Sequence, residues 1–409
     1  MHRVRLNPDT KGGASIVTES AFVSSVAFFP WATLAEPIKL GRSVRLLPYE
    51  KDRAPGDTDR AKQADLDNIL RAYSNGTHER VSEATLIEVD GWRTGTEADV
   101  ATRERLFRAR IILGFSALSH RRLFSHMRYC CYDTYTMVVQ QYQTGRADRF
   151  VYHTRRRDGG TSNYWNADGF AFHRPLHVDS RTRIELDQKL AAALLDLPLD
   201  ADDPLIDALE EFNSANTDSR DVPLHIEAVL VKSAFERLLR IGSNAKEFSN
   251  ALQACITNMD ADLQGPLLDS WRKRFPQAPS ILGAWAQEFS ALRGANAHGM
   301  DRKLDHFVWS SAAHLAFTSI LFPLIVKKKL AETGLWVQPE EDVEKLRRIQ
   351  DYLMYDPFNV GHPDRQESHP WSDIDGEVLM AGYERRMREG MRQAISKAID
   401  STSGTDPET

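Results

Sequence analysis

Residues 307–326 constrain this chain more than any other stretch: they run without a single Asp, Glu, Lys or Arg and end at Lys327, Lys328 and Lys329. A helix of that composition is apolar around its whole circumference, so lipid or other helices must cover it on every side. Ser310, Ser311, His314, Thr318, Ser319 and Pro323 interrupt the run, and no second run of its kind occurs. The expectation is therefore a helix buried inside a bundle, with no membrane span. The partners such a helix needs are present. Beyond residue 204 the apolar residues recur at helical spacing over 204–215, 223–241, 245–260, 266–275, 280–298, 304–333, 340–355 and 376–400.

The first half reads differently. Residues 21–31 are rich in strand formers and close at Pro30, and residues 36–49 alternate around Gly41-Arg42 as a hairpin. Residues 84–89, 133–142, 150–157, 161–165 and 170–178 read as further strands, with Asp158-Gly159-Gly160 as a hairpin turn. Helices are expected at 65–74 and 98–120, and again from Arg181, where Ile184, Leu186, Leu190, Leu194 and Leu197 fall at helical spacing. The acidic, proline-flanked stretch 198–204 is the expected boundary. The predicted fold class is an α+β N-terminal domain, 1–197, mostly antiparallel, followed by an all-α helical-bundle domain, 198–400. A disordered tail is expected over 401–409.

Composition excludes some functions. The chain has a net charge of -6 and is 27% charged, so nothing in its overall balance advertises nucleic acid. The cations are nevertheless concentrated in the first half, which is the side expected to meet an anion. The cysteines are Cys130, Cys131 and Cys255, with no CxxC pair, which suits a reducing compartment and no zinc ribbon. The N-terminus lacks the apolar core of a signal peptide, so a cytoplasmic protein is expected. No Gly-rich phosphate loop, GxSxG elbow or HExxH occurs, and no cofactor is expected.

The chemistry is expected at the end of the helix over 280–298. Leu282, Trp285, Phe289 and Leu292 form its buried face, and the stretch closes in Arg293-Gly294-Ala295-Asn296-Ala297-His298-Gly299. Gly299 suits the residue after a helix end, where a left-handed conformation is common. A permanent cation and a titratable imidazole thus stand five residues apart. Metal-free RNA cleavage needs a base for the 2′-hydroxyl proton, an acid for the leaving 5′-oxygen and a cation for the phosphorane. Histidine and arginine supply these. On a regular helix, however, five residues turn the two side chains about 140° apart. They converge only if the helix breaks near His298 or if two copies pool their pairs.

The order of elements resembles the HEPN superfamily, in particular its ApeA-type group. A long apolar helix over 223–241 carries Glu236 before two leucines; spacer helices follow; then comes a helix ending in Arg293, four residues and His298; then the apolar helix that follows. The resemblance covers about residues 200–335. It implies a small helical bundle that dimerises, with Arg and His at the dimer interface, acting as a metal-independent endoribonuclease in bacterial antiphage defence or toxin-mediated growth arrest. Under it, His298 is the general acid/base and Arg293 the phosphate clamp, with Asn296 and Glu236 as supporting polar groups. Gly294 departs from the pattern, since active members usually carry a polar residue after the Arg. RNA and a homodimer partner are implied, with a phage-derived trigger or an antitoxin as further partners. The alternative is a non-catalytic RNA-binding or scaffold protein of the same fold. Glu236 also has a simpler reading, an ion pair with Lys232 or Arg240, each four residues away.

A second cluster lies on the expected hairpin of the first half. Arg155 and Arg157 share a strand face, and Tyr164 and Trp165 sit on the returning arm. Such a surface can hold phosphates and stack bases, or can simply be a solvated strand edge. His173 and His177 lack carboxylate or cysteine neighbours at metal spacing and read as structural. His362 and His369 fall in a long loop with nothing to support a metal there.

Overall fold

The computed structural model describes residues 24–53, 60–75, 79–121, 130–145, 150–152, 162–164, 171–175, 183–198, 203–257, 267–298 and 307–358, with a few isolated positions besides. The expected helix over 376–400 and the tail over 401–409 lie outside the described residues, apart from Met391.

A sheet forms the first layer. Its strands are β1 (Ser24–Phe29), β2 (Ile38–Leu40), β3 (Val44–Glu50), β5 (Glu83–Val89), β6 (Val138–Tyr142), β7 (Phe150–Tyr152) and β8 (Ser162–Tyr164), in the order β2-β3-β5-β1-β6-β7-β8. Every pairing is antiparallel, with Phe28 opposite Leu86 and Val26 opposite Gln140 across the central strand. The β2–β3 hairpin turns at Gly41, whose φ of +53 favours glycine. β1 is buried along its whole length. Because side chains alternate across a strand, it feeds two cores. Ala27 and Phe29 join Leu46, Ile87 and Val89 on one face. Val26 and Phe28 join Tyr49, Ala84 and Leu86 on the other.

Helix α1 (Arg60–Leu70) covers the second of these faces through Leu66, Ile69 and Leu70. Beside it, β4 (Tyr73–Ser74) pairs in parallel with β9 (Phe172–His173). Two expectations are corrected here. The helix read over 65–74 lies earlier and ends at Leu70. The strand read over 170–178 is described at Phe172–His173, where it joins β4 instead of the main sheet. Tyr73 stacks on Phe172 at 5.1 Å, a contact between positions far apart in sequence.

The other face of the sheet meets α2 (Val100–His120), whose N-cap Asp99 accepts from the Thr102 amide. α2 is buried all round from Ile111 to Leu118 because the sheet lies on one side and the helical part on the other. Gly114 makes the close approach possible: a Cβ there would stand 2.5 Å from the Tyr132 ring. Residues 184–187 run extended, with Thr33 and Arg183 bridged, and α3 (Gln188–Asp196) starts only after the cap Asp187. Ile184 and Leu186 are therefore buried from extended backbone, not from the helix their spacing suggested.

The rest is helical: α4 (Pro204–Ala215), α5 (Leu224–Leu239), α6 (Ala245–Cys255), α7 (Leu268–Arg274), α8 (Ile281–His298), α9 (Ser311–Glu332) and α10 (Glu340–Arg347). Asp203, Asn244 and Ser310 cap α4, α6 and α9 through their side chains. α9 is the charge-free run, and its middle is buried as expected. Phe322 of α9 stacks on Phe212 of α4 at 4.4 Å and meets Phe115 of α2 and Phe235 of α5 edge-on. These rings tie four helices together, and one hydrophobic cluster runs from the sheet across residue 198 into the bundle. No described helix is long and apolar enough to cross a membrane.

Candidate functional site

Helix α8 places the Arg-x4-His stretch. Leu282, Trp285, Phe289 and Leu292 are all buried, as their spacing requires. Gly283 lets α6 approach closely: Ser249 donates to the Gly283 carbonyl at 3.3 Å, and a Cβ on Gly283 would stand 3.0 Å from Gln253. Burial fades toward the C-terminal end of α8, and Arg293 and Gly294 are half-buried. Space around Gly294 is open, with no atom within 4 Å of an added Cβ.

Arg293 faces α5. Lys232 of α5 is fully buried and pairs with Glu236 at 2.6 Å. Its ammonium also lies 4.3 Å from the centre of the Phe248 ring, a cation–π contact. Burial pushes the Lys232 amine below its ordinary range; Glu236 opposes that shift, and the nearby Arg293 guanidinium adds to it. Lys232 and Arg293 therefore meet Glu236 here, and the Glu247 carboxylate also acts on Lys232. The Arg293 Nε is buried and, among the described residues, donates to no acceptor.

The proposed supporting groups can now be placed. The Glu236 carboxylate goes to Lys232, while Arg240, the other partner considered for it, pairs with Asp203 at 3.5 Å. Asn296 and His298 lie on the last turns of α8, and their side chains are outside what is described. The backbone of α8 is helical through both Arg293 and His298, so the two positions lie about 140° apart around its axis. Arg155, Arg157 and Trp165 lie outside the described residues. Tyr164 closes β8, the outermost strand at that edge of the sheet, opposite Phe150. His173 meets the Ser74 hydroxyl at 2.7 Å, and His177 lies outside the described residues. Among the described residues, no group of three or more His, Cys, Asp or Glu could hold a metal ion.

Glu288 and His314 form a polar centre that residue spacing did not single out. Glu288 is 1% exposed on α8. It accepts from the Val308 amide at 2.9 Å, the Trp309 amide at 3.0 Å and His314 Nε2 at 3.2 Å. These bonds tie the chain entering α9 back to α8, one turn before Arg293. His314 is stacked on Phe289 at 5.5 Å, with Trp285, Phe307 and Trp309 around it. The available signal was a Glu among the apolar positions of α8 and a lone His inside the charge-free run.

Burial lowers the His314 pKa from its ordinary 6.5, against a smaller opposing pull from the Glu288 hydrogen bond. With Nε2–H donating to Glu288, the other nitrogen, Nδ1, is buried without a partner. Unfolding releases an imidazole that takes up a proton below about 6.5. The contribution of this group is thus complete above that pH and is lost as pH falls from there through the folded value. The urea midpoint is expected to drop between pH 7 and pH 5, and His314→Phe should flatten that slope. An unchanged slope in the variant would rule out His314 as its source.

Sheet, bundle and cation cluster together define an α+β protein with a helical C-terminal part and a polar site at the end of a buried helix. Comparison of the chain with protein-family models, with curated proteins and with solved structures gives no match.

Proposed function

We propose that this protein is a metal-independent endoribonuclease of the HEPN kind, working as a homodimer in bacterial antiphage defence or toxin-mediated growth arrest. The observation that carries this reading is the half-buried Arg293, with its unpaired Nε, beside Lys232 and next to the open space at Gly294. A half-buried guanidinium with an unsatisfied Nε at a helix end suits a phosphodiester anion. The resemblance in helix order supplies the partner group, His298.

In the proposed reaction the 2′-oxygen attacks phosphorus and the P–O5′ bond breaks. The imidazole of His298 accepts the 2′-hydroxyl proton as general base and then, protonated, delivers it to the 5′-oxygen as general acid. Arg293 holds the equatorial oxygens of the phosphorane. The products are a 2′,3′-cyclic phosphate and a 5′-hydroxyl. Each pocket takes the arginine of one copy and the histidine of the other where two copies of α8 meet. Lys232 strengthens the positive field, and Glu236 keeps that buried ammonium charged.

The test is cleavage of a structured RNA pool in EDTA, with end-group analysis. Cleavage is expected to persist and to leave cyclic phosphate ends, and His298→Ala should lower the rate about 10²- to 10⁴-fold. Cleavage abolished by EDTA and restored by Mg²⁺ would overturn the reading. Intact RNA bound by a folded wild-type dimer would favour the scaffold alternative.

A further inference from the structure

A cavity of about 500 Å³ with no role assigned above lies between the C-terminal end of α2, the middle of α9 and α10. This volume lies in the range of small-molecule sites. Leu118, Ile320, Pro323 and Leu324 give it an apolar wall, and Arg121 lies at its α2 side. Glu341, Asp342 and Glu344 line it as well, and the other lining cations are paired with carboxylates. Lys327 pairs with Asp342 at 3.1 Å, Lys345 with Glu341, and Arg348 with Asp351 at 3.1 Å.

Arg121 is different. Its guanidinium donates to two neutral oxygens, the Cys130 carbonyl at 3.3 Å and the Asn216 side chain. Its Nε is buried with no acceptor among the described residues. Among the described residues it forms no ion pair; Asp218 acts on it only from a distance. A desolvated guanidinium bonded to neutral oxygens has lost hydration and gained no counter-charge in direct contact. An anion in the cavity would restore it, and the planar NH edge matches a carboxylate or a phosphate.

We infer that this cavity binds a small amphipathic anion, a carboxylate or phosphate head on an apolar body, with Arg121 as the head-group ligand. The site lies where the two parts of the fold meet. α2 packs against the sheet through β5 and against the bundle through α4 and α9. An occupant held by Arg121 on α2 and by Ile320 and Leu324 on α9 touches both, so its binding energy couples the sheet part to the bundle.

Three matched probes test this on the full chain by titration calorimetry: 1-naphthyl phosphate, 1-naphthoate and 1-naphthalenemethanol. At least one anion is expected to bind at micromolar to low-millimolar concentration, with the neutral alcohol at least tenfold weaker. Preference for the phosphate points to a phosphorylated ligand, and preference for the naphthoate to a carboxylic acid. Arg121→Gln should remove the advantage of the anions. Ile320→Trp, at a half-buried position, should fill the cavity and weaken all three probes tenfold or more while leaving Arg121 in place. Failure of both anions to bind overturns the inference, as does equal affinity for the alcohol, or binding that neither variant changes. The readout uses no RNA, so its failure is separable from failure of the Arg293 and His298 reading.

Discussion

Mixing equal amounts of Arg293→Ala and His298→Ala subunits should restore about a quarter of wild-type RNA cleavage, although each variant alone is close to inactive. Loss of the phosphate clamp is expected to cost about 10²- to 10³-fold, and loss of the imidazole at least as much. The restoration follows from helix geometry. α8 is continuous through both positions, so five residues separate their side chains by about 140° around the axis. A pocket holding both groups then takes the arginine of one copy and the histidine of the other. Random exchange makes half the dimers mixed, and each mixed dimer keeps one intact pocket of two, hence about a quarter of the activity. Subunit exchange followed by a rate measurement decides it. No restoration in a mixture shown to contain mixed dimers would eliminate the shared pocket.

Replacing Glu288 by alanine should destabilise the fold by about 4 kcal/mol, which is large for one side chain. The carboxylate is the acceptor for two backbone amides and one imidazole, all in a sealed part of the core. Each donor stranded in such a place costs about 1–3 kcal/mol. Glu288→Gln should cost less. Its single amide oxygen can keep part of the network, while its NH₂ is turned toward a donor. Urea unfolding gives the magnitude, and amide exchange at Val308 and Trp309 gives the location. A loss below about 1 kcal/mol would mean that these donors find other acceptors. Because Glu288 sits one turn before Arg293, a surviving Glu288→Gln protein also tests whether the α8–α9 connection positions the site.

Much of the helical part was legible. Leu282, Trp285, Phe289 and Leu292 delimit α8 by spacing alone, and its observed end at His298 agrees with the reading. The hairpin at Gly41 was legible too, because the turn demands a residue tolerant of positive φ. β4 and β9 were not, since a two-residue parallel pair depends on where distant chain segments land. Neither was the start of α9. The periodic pattern extends back to residue 304, yet Glu288 captures the amides of Val308 and Trp309 and Ser310 caps the helix after them. Lys232 shows the same limit. Its spacing from Glu236 suggested a surface pair, and the packing of α6 and α8 around α5 put its ammonium entirely inside.

Local residue order by itself determined the succession of strands and then helices, the wrapping demanded by the charge-free run 307–326, and the placing of Arg293 and His298 on one helix. These follow from periodicity and capping, which act within a few turns. Only the tertiary structure decided which polar groups lost their water: Lys232 beside Arg293, Glu288 holding His314, and Arg121 at the wall of a cavity. Desolvation depends on what other elements bring to a side chain, and no window along the chain contains that information.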